Sequence, residues 1–221
     1  MSWRLFDSVP ADELREVIAI ARRRVFARGE VVFHDGDPSD SLHLVVKGRF
    51  AVKVVTPRGD VAVLWVCAPG DAFGELALVS PEEPRSATVA ALEPAATHAV
   101  HRGDFERLRR EHPEIDRVLV AVLAGQVRRM SALVVDAYYT SAERRVLRRL
   151  ADLVDTYGAA DGAGPVVVPV TQEQLAELAG TSRATVNHVL REEQVRGTVE
   201  LGRGRTTVRD AAALARRARR S

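Results

Sequence analysis

Apolar positions change their spacing twice along this 221-residue chain. In residues 1–24, Leu14, Val17, Ile18 and Ala21 recur at helical intervals after the start signal Pro10-Ala11-Asp12-Glu13. They predict a short amphipathic helix with Arg22, Arg23 and Arg24 as its solvated end. From Val25 to Val100 the rhythm shortens to β-type runs: Val31–Phe33, Leu42–Lys47, Phe50–Val55, Val61–Val66, Ser86–Ala91 and Ala95–Val100. Turn signals such as Asp35-Gly36-Asp37-Pro38 and Pro57-Arg58-Gly59-Asp60 separate them. Many short strands punctuated in this way predict a β-sandwich or barrel, with a jelly roll as a natural solution.

Past Arg102 the helical period returns. A short helix follows His101, and His112-Pro113-Glu114 opens a long one. Its apolar residues include Ile115, Leu119, Val122, Val127, Met130, Leu133, Val134 and Tyr138, three and four apart. About 24 residues of helix span about 36 Å and need partners for that stripe. Pairing with a second copy buries the face left free by the sandwich. Ser141 is placed to cap a further helix, so Asp136 to Thr140 reads as a hinge.

Thr171-Gln172-Glu173-Gln174 has the form of a capping box. Gly180 permits a tight turn, and Ser182 caps a second helix through Leu190. Two short helices joined in this way form either an ordinary helical hairpin or a helix-turn-helix, whose second helix presents its first residues to the DNA major groove. Arg183, Ala184, Thr185, Asn187 and His188 are the candidate readers. Thr171, Ser182 and the hairpin residues Arg203 and Arg205 are the candidate backbone contacts. Val186, Val189 and Leu190 face inward.

Charge agrees with that placement. Residues 1–140 carry 18 basic against 20 acidic side chains, whereas residues 141–221 carry 14 against 10. A nucleic-acid partner is therefore sought at the C-terminal end. Cys67 is the sole cysteine and sits in an apolar run, which excludes an intrachain disulfide framework and reads as a core position. The histidines lack ligand spacing, so no metal is expected. No nucleophile–base pair points to an enzyme. The absence of a leader or membrane-length apolar run gives a soluble, cytoplasmic expectation.

The densest chemistry is Phe73-Gly74-Glu75-Leu76-Ala77-Leu78, followed by Arg85-Ser86-Ala87-Thr88-Val89. Backbone N–H groups behind a glycine, with a fixed Arg, suit a phosphate. Glu75 suits a hydroxyl that donates to it, such as a ribose hydroxyl. Phosphate with ribose means a nucleotide. An ordinary surface ion pair between Glu75 and Arg85 is the plainer alternative.

The F-G-E-L-A-L and R-S-A-T-V runs resemble the phosphate-binding cassette of cyclic-nucleotide-binding domains. T-Q-E-Q-L-A-E-L-A-G-T-S-R-A-T-V-N resembles the DNA-binding motif of the CRP/FNR transcription regulators. The resemblance implies an α+β chain in three parts. These are a cyclic-nucleotide-binding jelly roll over 1–112, a dimerisation helix over 113–138 and a winged helix-turn-helix over 139–221. It implies Glu75 on the ribose, Arg85 and Ser86 on the cyclic phosphate, and backbone at Gly74, Leu76 and Ala87 assisting. Met130 and Ser131 fall where the family's cyclic AMP receptors hold the adenine amino group across the dimer, and Met130 cannot donate there. The implied effector is cAMP or another cyclic nucleotide. The implied partners are a palindromic DNA operator, a second copy of the chain and RNA polymerase. Ala184 stands where the family has Glu and cannot accept from cytosine N4, which predicts an operator unlike the TGTGA-type half-site. A regulator with no ligand or another effector, and a nucleotide-binding subunit acting on a protein, are the competing readings.

Overall fold

The computed structural model describes residues 15, 18–80, 82–113, 115–158 and 164–219. Leu14 and Val17 of the expected first helix lie outside them; Ile18 to Ile20 are helical. Among the described residues no helix is long and apolar enough to cross a membrane. The chain forms two compact units, Met1–Val55 with Leu64–Ser131, and Thr56–Val63 with Ala132–Ser221.

Eight strands build a sandwich: β1 Arg22–Phe26, β2 Val31–Phe33, β3 Ser41–Lys47, β4 Phe50–Val55, β5 Val61–Cys67, β6 Ala72–Phe73, β7 Thr88–Ala91 and β8 Ala95–His101. One sheet runs β1-β8-β3-β6 and the other β2-β7-β4-β5. Phe26, Val45, Phe50, Cys67, Phe73 and Val89 fill the space between the sheets, with Phe50 packed edge-on to Phe26. Burial pushes the Cys67 thiol up to about 12, as for an inert core thiol. A second cluster gathers Leu42, Leu44, Leu78, Val100, Phe105 and Leu108.

Arg22, Arg23 and Arg24 are not a helix end. They are strand residues, paired with Ala99, His98 and Thr97 of β8. Ladder hydrogen bonds and the inward Phe26 outweigh the poor strand composition of three successive arginines.

The short helix α1, Leu76–Val79, interrupts the sandwich between β6 and β7. Helix α2 covers Arg102–Glu111 and α3 covers Ile115–Tyr139. On α3, Val120, Val127, Met130, Val134 and Tyr138 are exposed, while the side chains of Ile115, Leu119 and Val122 lie outside those described. The expected hinge at Asp136–Thr140 is mostly helical: α3 continues to Tyr139, and the break falls at Thr140–Ser141. No helix breaker occurs in 136–139, and Asp136 accepts from both Arg148 and Arg149.

Those arginines lie on α4, Ala142–Tyr157, whose N-cap Ser141 accepts from the Arg144 N–H. Val146, Leu150, Leu153 and Val154 are its buried side. Strand β9 (Val166–Val168), helices α5 (Gln172–Ala179) and α6 (Arg183–Val195), strands β10 (Val199–Gly202) and β11 (Arg205–Val208), and helix α7 (Ala211–Arg219) complete the second unit. Its sheet has the order β10-β11-β9.

Candidate functional site

Gly74 has φ +81°, a conformation glycine adopts without strain. A Cβ there would lie 2.7 Å from Arg85 Nη1 and 2.9 Å from the Ser41 carbonyl oxygen, so the backbone must be bare for Arg85 to pass behind it. The next residue, Glu75, is the N-cap of α1, yet its carboxylate makes no capping hydrogen bond. Although buried, it instead accepts a 2.6 Å hydrogen bond from Nε2 of Gln126 on α3.

Arg85 is 4% exposed. Its Nη1 donates to the carbonyl oxygens of Ser41 and Gly74; its Nη2 donates to Asp40 Oδ1 and Ser41 Oγ. The guanidinium lies over Phe33, 4.0 Å from the ring centre. Backbone bonds hold the arginine's own peptide in place, from Gly36 N to Arg85 O and from Arg85 N to Asp37 O. One edge is therefore locked, while Nε is buried with no hydrogen-bond partner among the described residues. A buried unpaired donor of a charged group is costly. An anion at Nε removes that cost.

Burial alone would raise the Asp40 carboxyl, but the Ser41 hydrogen bond and the Arg85 charge hold it below its ordinary value. Behind it, His43 bonds Thr97 Oγ1 through Nδ1 at 3.0 Å and stacks on Phe73. Burial first, and the Arg85 charge second, push the His43 pKa down to about 3. A neutral imidazole is the form compatible with a cation next door.

Glu75 and Arg85 do not form the ordinary pair weighed against the site. Both line a cavity of about 340 Å³, together with Gly74, Leu76, Ser86, Ala87, Gln126 and Met130. Its walls are apolar, from Phe33, Val52, Trp65 and Phe73. The Ser86 side chain lines the same wall and can donate to a ligand. Size and lining suit a small molecule with one charged end. Ser131 is not in this wall: it is exposed, and its hydroxyl donates to the Val127 carbonyl oxygen. Sequence reasoning missed Gln126, Asp40 and Ser41. Gln126, one turn before Met130 on the same helix face, was the signal that could have been found.

In the second unit the capping box is complete: Thr171 Oγ1 accepts from Gln174 N, and Gln174 Oε1 accepts from Thr171 N. Gly180 ends α5 in the left-handed region, φ +57°. Ser182 caps α6 by accepting from Thr185 N, and its hydroxyl also meets the Thr185 hydroxyl at 2.9 Å. Val186, Val189 and Leu190 are buried, whereas Arg183, Ala184, Asn187 and His188 are exposed. Asn187 donates to Gln172 Oε1, and His188 lies 3.3 Å from Glu192. Thr185 is turned back on the cap and is half-buried. Arg203 and Arg205, at the β10–β11 turn, are exposed. The helix start thus leaves Arg183 and the Asn187 amide exposed, and the hairpin leaves Arg203 and Arg205 exposed. Among the described residues no group of three or more His, Cys, Asp or Glu could hold a metal ion.

Residues 23–112 match the cyclic nucleotide-binding domain, and residues 144–217 match the Crp-like helix-turn-helix domain. The chain is 32% identical over 195 residues to a CRP-like cAMP-activated global transcriptional regulator of Mycobacterium tuberculosis, covering 88% of this chain and 87% of the relative. It is also 32% identical over 210 residues to the cyclic AMP receptor protein of Thermus thermophilus, covering 95% and 94%. Among solved structures, the catabolite activator protein of Thermus thermophilus matches with a TM-score of 0.56 over 97% of both chains at 32% identity. A further Thermus thermophilus structure, of a CRP-family transcriptional regulator, matches with a TM-score of 0.74 at 28% identity, covering 88% of this chain and 96% of the other. A cyclic-nucleotide-binding sandwich followed by a Crp-like helix-turn-helix, and relatives matched over most of their length, place the chain in the CRP/FNR family, as a cyclic nucleotide-binding, DNA-binding transcription regulator.

Proposed function

We propose that the effector is cAMP, bound with its cyclic phosphate on Arg85 Nε and the Ser86 hydroxyl and its ribose hydroxyl on Glu75. The observation that carries this reading is the buried, unpartnered Nε of an otherwise fully engaged Arg85 in the wall that also holds Glu75. The relatives' names, which speak of cAMP activation and cyclic AMP reception, support the choice of nucleotide. Backbone at Gly74, Leu76 and Ala87 completes the phosphate side. Met130 packs against the base without giving it a donor.

The chain acts as a homodimer through its long helix. Val120, Val127 and Val134 recur at seven-residue intervals and are all exposed, with Met130 beside them. Such a seam is covered when two helices pair. Ser131 is on the exposed side of α3, so its hydroxyl is offered to a base held by the second subunit. The three-part division at 112 and 138 follows from this use of the helix.

Ligand binding biases the break at Thr140–Ser141 so that two α6 helices enter successive major grooves about 34 Å apart. Arg183 reads a guanine edge, while Thr171, Ser182, Arg203 and Arg205 hold phosphates. RNA polymerase is the downstream partner, and the cytoplasm is the place of action. Fluorescence anisotropy with a labelled operator, selected from random DNA, tests the reading. Saturating cAMP is expected to tighten binding at least tenfold, and equal binding with and without it overturns the assignment.

A further inference from the structure

A second, larger cavity of about 560 Å³ lies at the mouth of the same sandwich. Arg22, Arg23, Arg24, Asp37, Asp40, Arg85 and His101 supply its charged wall. Register shows which way Arg22 and Arg24 of β1 point. Arg22 pairs with Ala99, which pairs with His43; Arg24 pairs with Thr97, which pairs with Val45. Directly paired residues share a sheet face, and these four partners are all buried. Arg22 and Arg24 thus lie on the same sheet face as buried Phe26 but at the open end of the strand, where both are exposed, while Val25, between Arg24 and Phe26, is 67% exposed on the other face.

An inward charge on an edge strand discourages edge-to-edge pairing. That explains the direction of one arginine, but not two arginines converging on a cavity. Neither has a carboxylate partner among the described residues; Arg24 only lies over the Phe26 ring at 5.2 Å. Both acids in the wall are already engaged, Asp37 by the His34 N–H and Asp40 by Ser41 and Arg85. His101 adds a titratable side chain to the same wall.

We infer that this cavity is a second anion site, separate from the cyclic-nucleotide pocket, that takes the polyphosphate group of a small metabolite such as a nucleoside di- or triphosphate. Arg22 and Arg24, two residues apart on one strand face and so about 7 Å apart, grip neighbouring phosphoryl groups. Phe33 gives an organic portion an apolar wall. Arg85 and Phe33 line both this cavity and the nucleotide pocket, whereas Arg22 and Arg24 line only this one, which makes the site a neighbour of the effector without being part of it.

Calorimetric titration of the full chain with magnesium-free inorganic pyrophosphate, with and without saturating cAMP, tests the site. The expected result is one binding event per chain in both conditions. It should weaken at least tenfold in the double variant Arg22→Gln/Arg24→Gln and less than twofold in Arg58→Gln, which removes a charge elsewhere. If the double variant melts early, Arg22→Gln alone replaces it, with at least a threefold weakening expected. Absence of pyrophosphate binding by the unaltered chain, or equal weakening by Arg58→Gln, overturns the inference.

Discussion

Gln126 of the long helix donates its amide to Glu75 Oε1 at 2.6 Å, 51 residues away in the chain. This one bond ties the carboxylate proposed for the ribose to the helix proposed for dimerisation. It also fixes Glu75 in a rotamer that leaves Oε2 for a ligand hydroxyl. Gln126→Ala frees the carboxylate, and cAMP affinity by calorimetry is expected to fall about tenfold, the equivalent of one charge-assisted hydrogen bond. Gln126→Glu sets carboxylate against carboxylate, so its loss of affinity is expected to exceed that of Gln126→Ala.

Gly74→Ala tests the packing behind Arg85. The added methyl meets Nη1 and the Ser41 carbonyl below 3.0 Å in a left-handed backbone. A destabilisation of about 1–3 kcal/mol in urea unfolding is expected, together with at least a tenfold loss of cAMP affinity. Unchanged values would mean that Arg85 does not need this passage.

Asp136 tests the join between α3 and α4. Its carboxylate, 14% exposed, takes both Arg148 and Arg149, the latter at 3.1 Å. Arg148 Nε in turn donates to the Ala218 carbonyl oxygen, and Arg145 donates to the carbonyl oxygens of Thr140, Ala179 and Gly180. Asp136→Ala is expected to cost about 1–3 kcal/mol in urea unfolding, while cAMP affinity stays within twofold.

His43 makes the sandwich sensitive to acid. Its folded pKa is pushed down to about 3, against about 6.5 when unfolded. Between those values the unfolded chain binds the proton and the folded chain does not, so stability falls as pH falls from about 6.5 toward 3. The slope from this one group is up to about 1.4 kcal/mol per pH unit. Urea midpoints at pH 7 and pH 4.5 are expected to lie closer together in His43→Gln than in the unaltered chain.

The helix starts were legible in the sequence because local chemistry sets them: Thr171 with Gln174, Ser182 and Ser141 cap as their spacing implies. The strand runs were legible through their glycine and proline punctuation. Arg22–Phe26 was hidden because its ladder partner lies some seventy residues on, at Ala95–Ala99, and its own composition argues against a strand. Gly74, Glu75, Arg85 and Ser86 stood out as a rare combination. The grip of Asp40 and Ser41 on Arg85 did not, since pairing across 44 and 45 residues leaves no local periodicity. The break before the Ser141 cap was read a few residues early for a related reason: tertiary ion pairs at Asp136 hold α3 helical through Tyr139.

Calorimetric titration of cAMP into the unaltered chain and into Arg85→Lys bears most directly on the anion held at Nε. Lysine keeps a positive charge but loses the fork that serves Ser41, Gly74 and Asp40 while leaving Nε free. Saturable binding of one cAMP per chain, weakened at least a hundredfold by the substitution with the melting temperature reduced by only a few degrees, is the predicted result. No cAMP binding by the unaltered chain, or equal affinity in both proteins, would contradict the account.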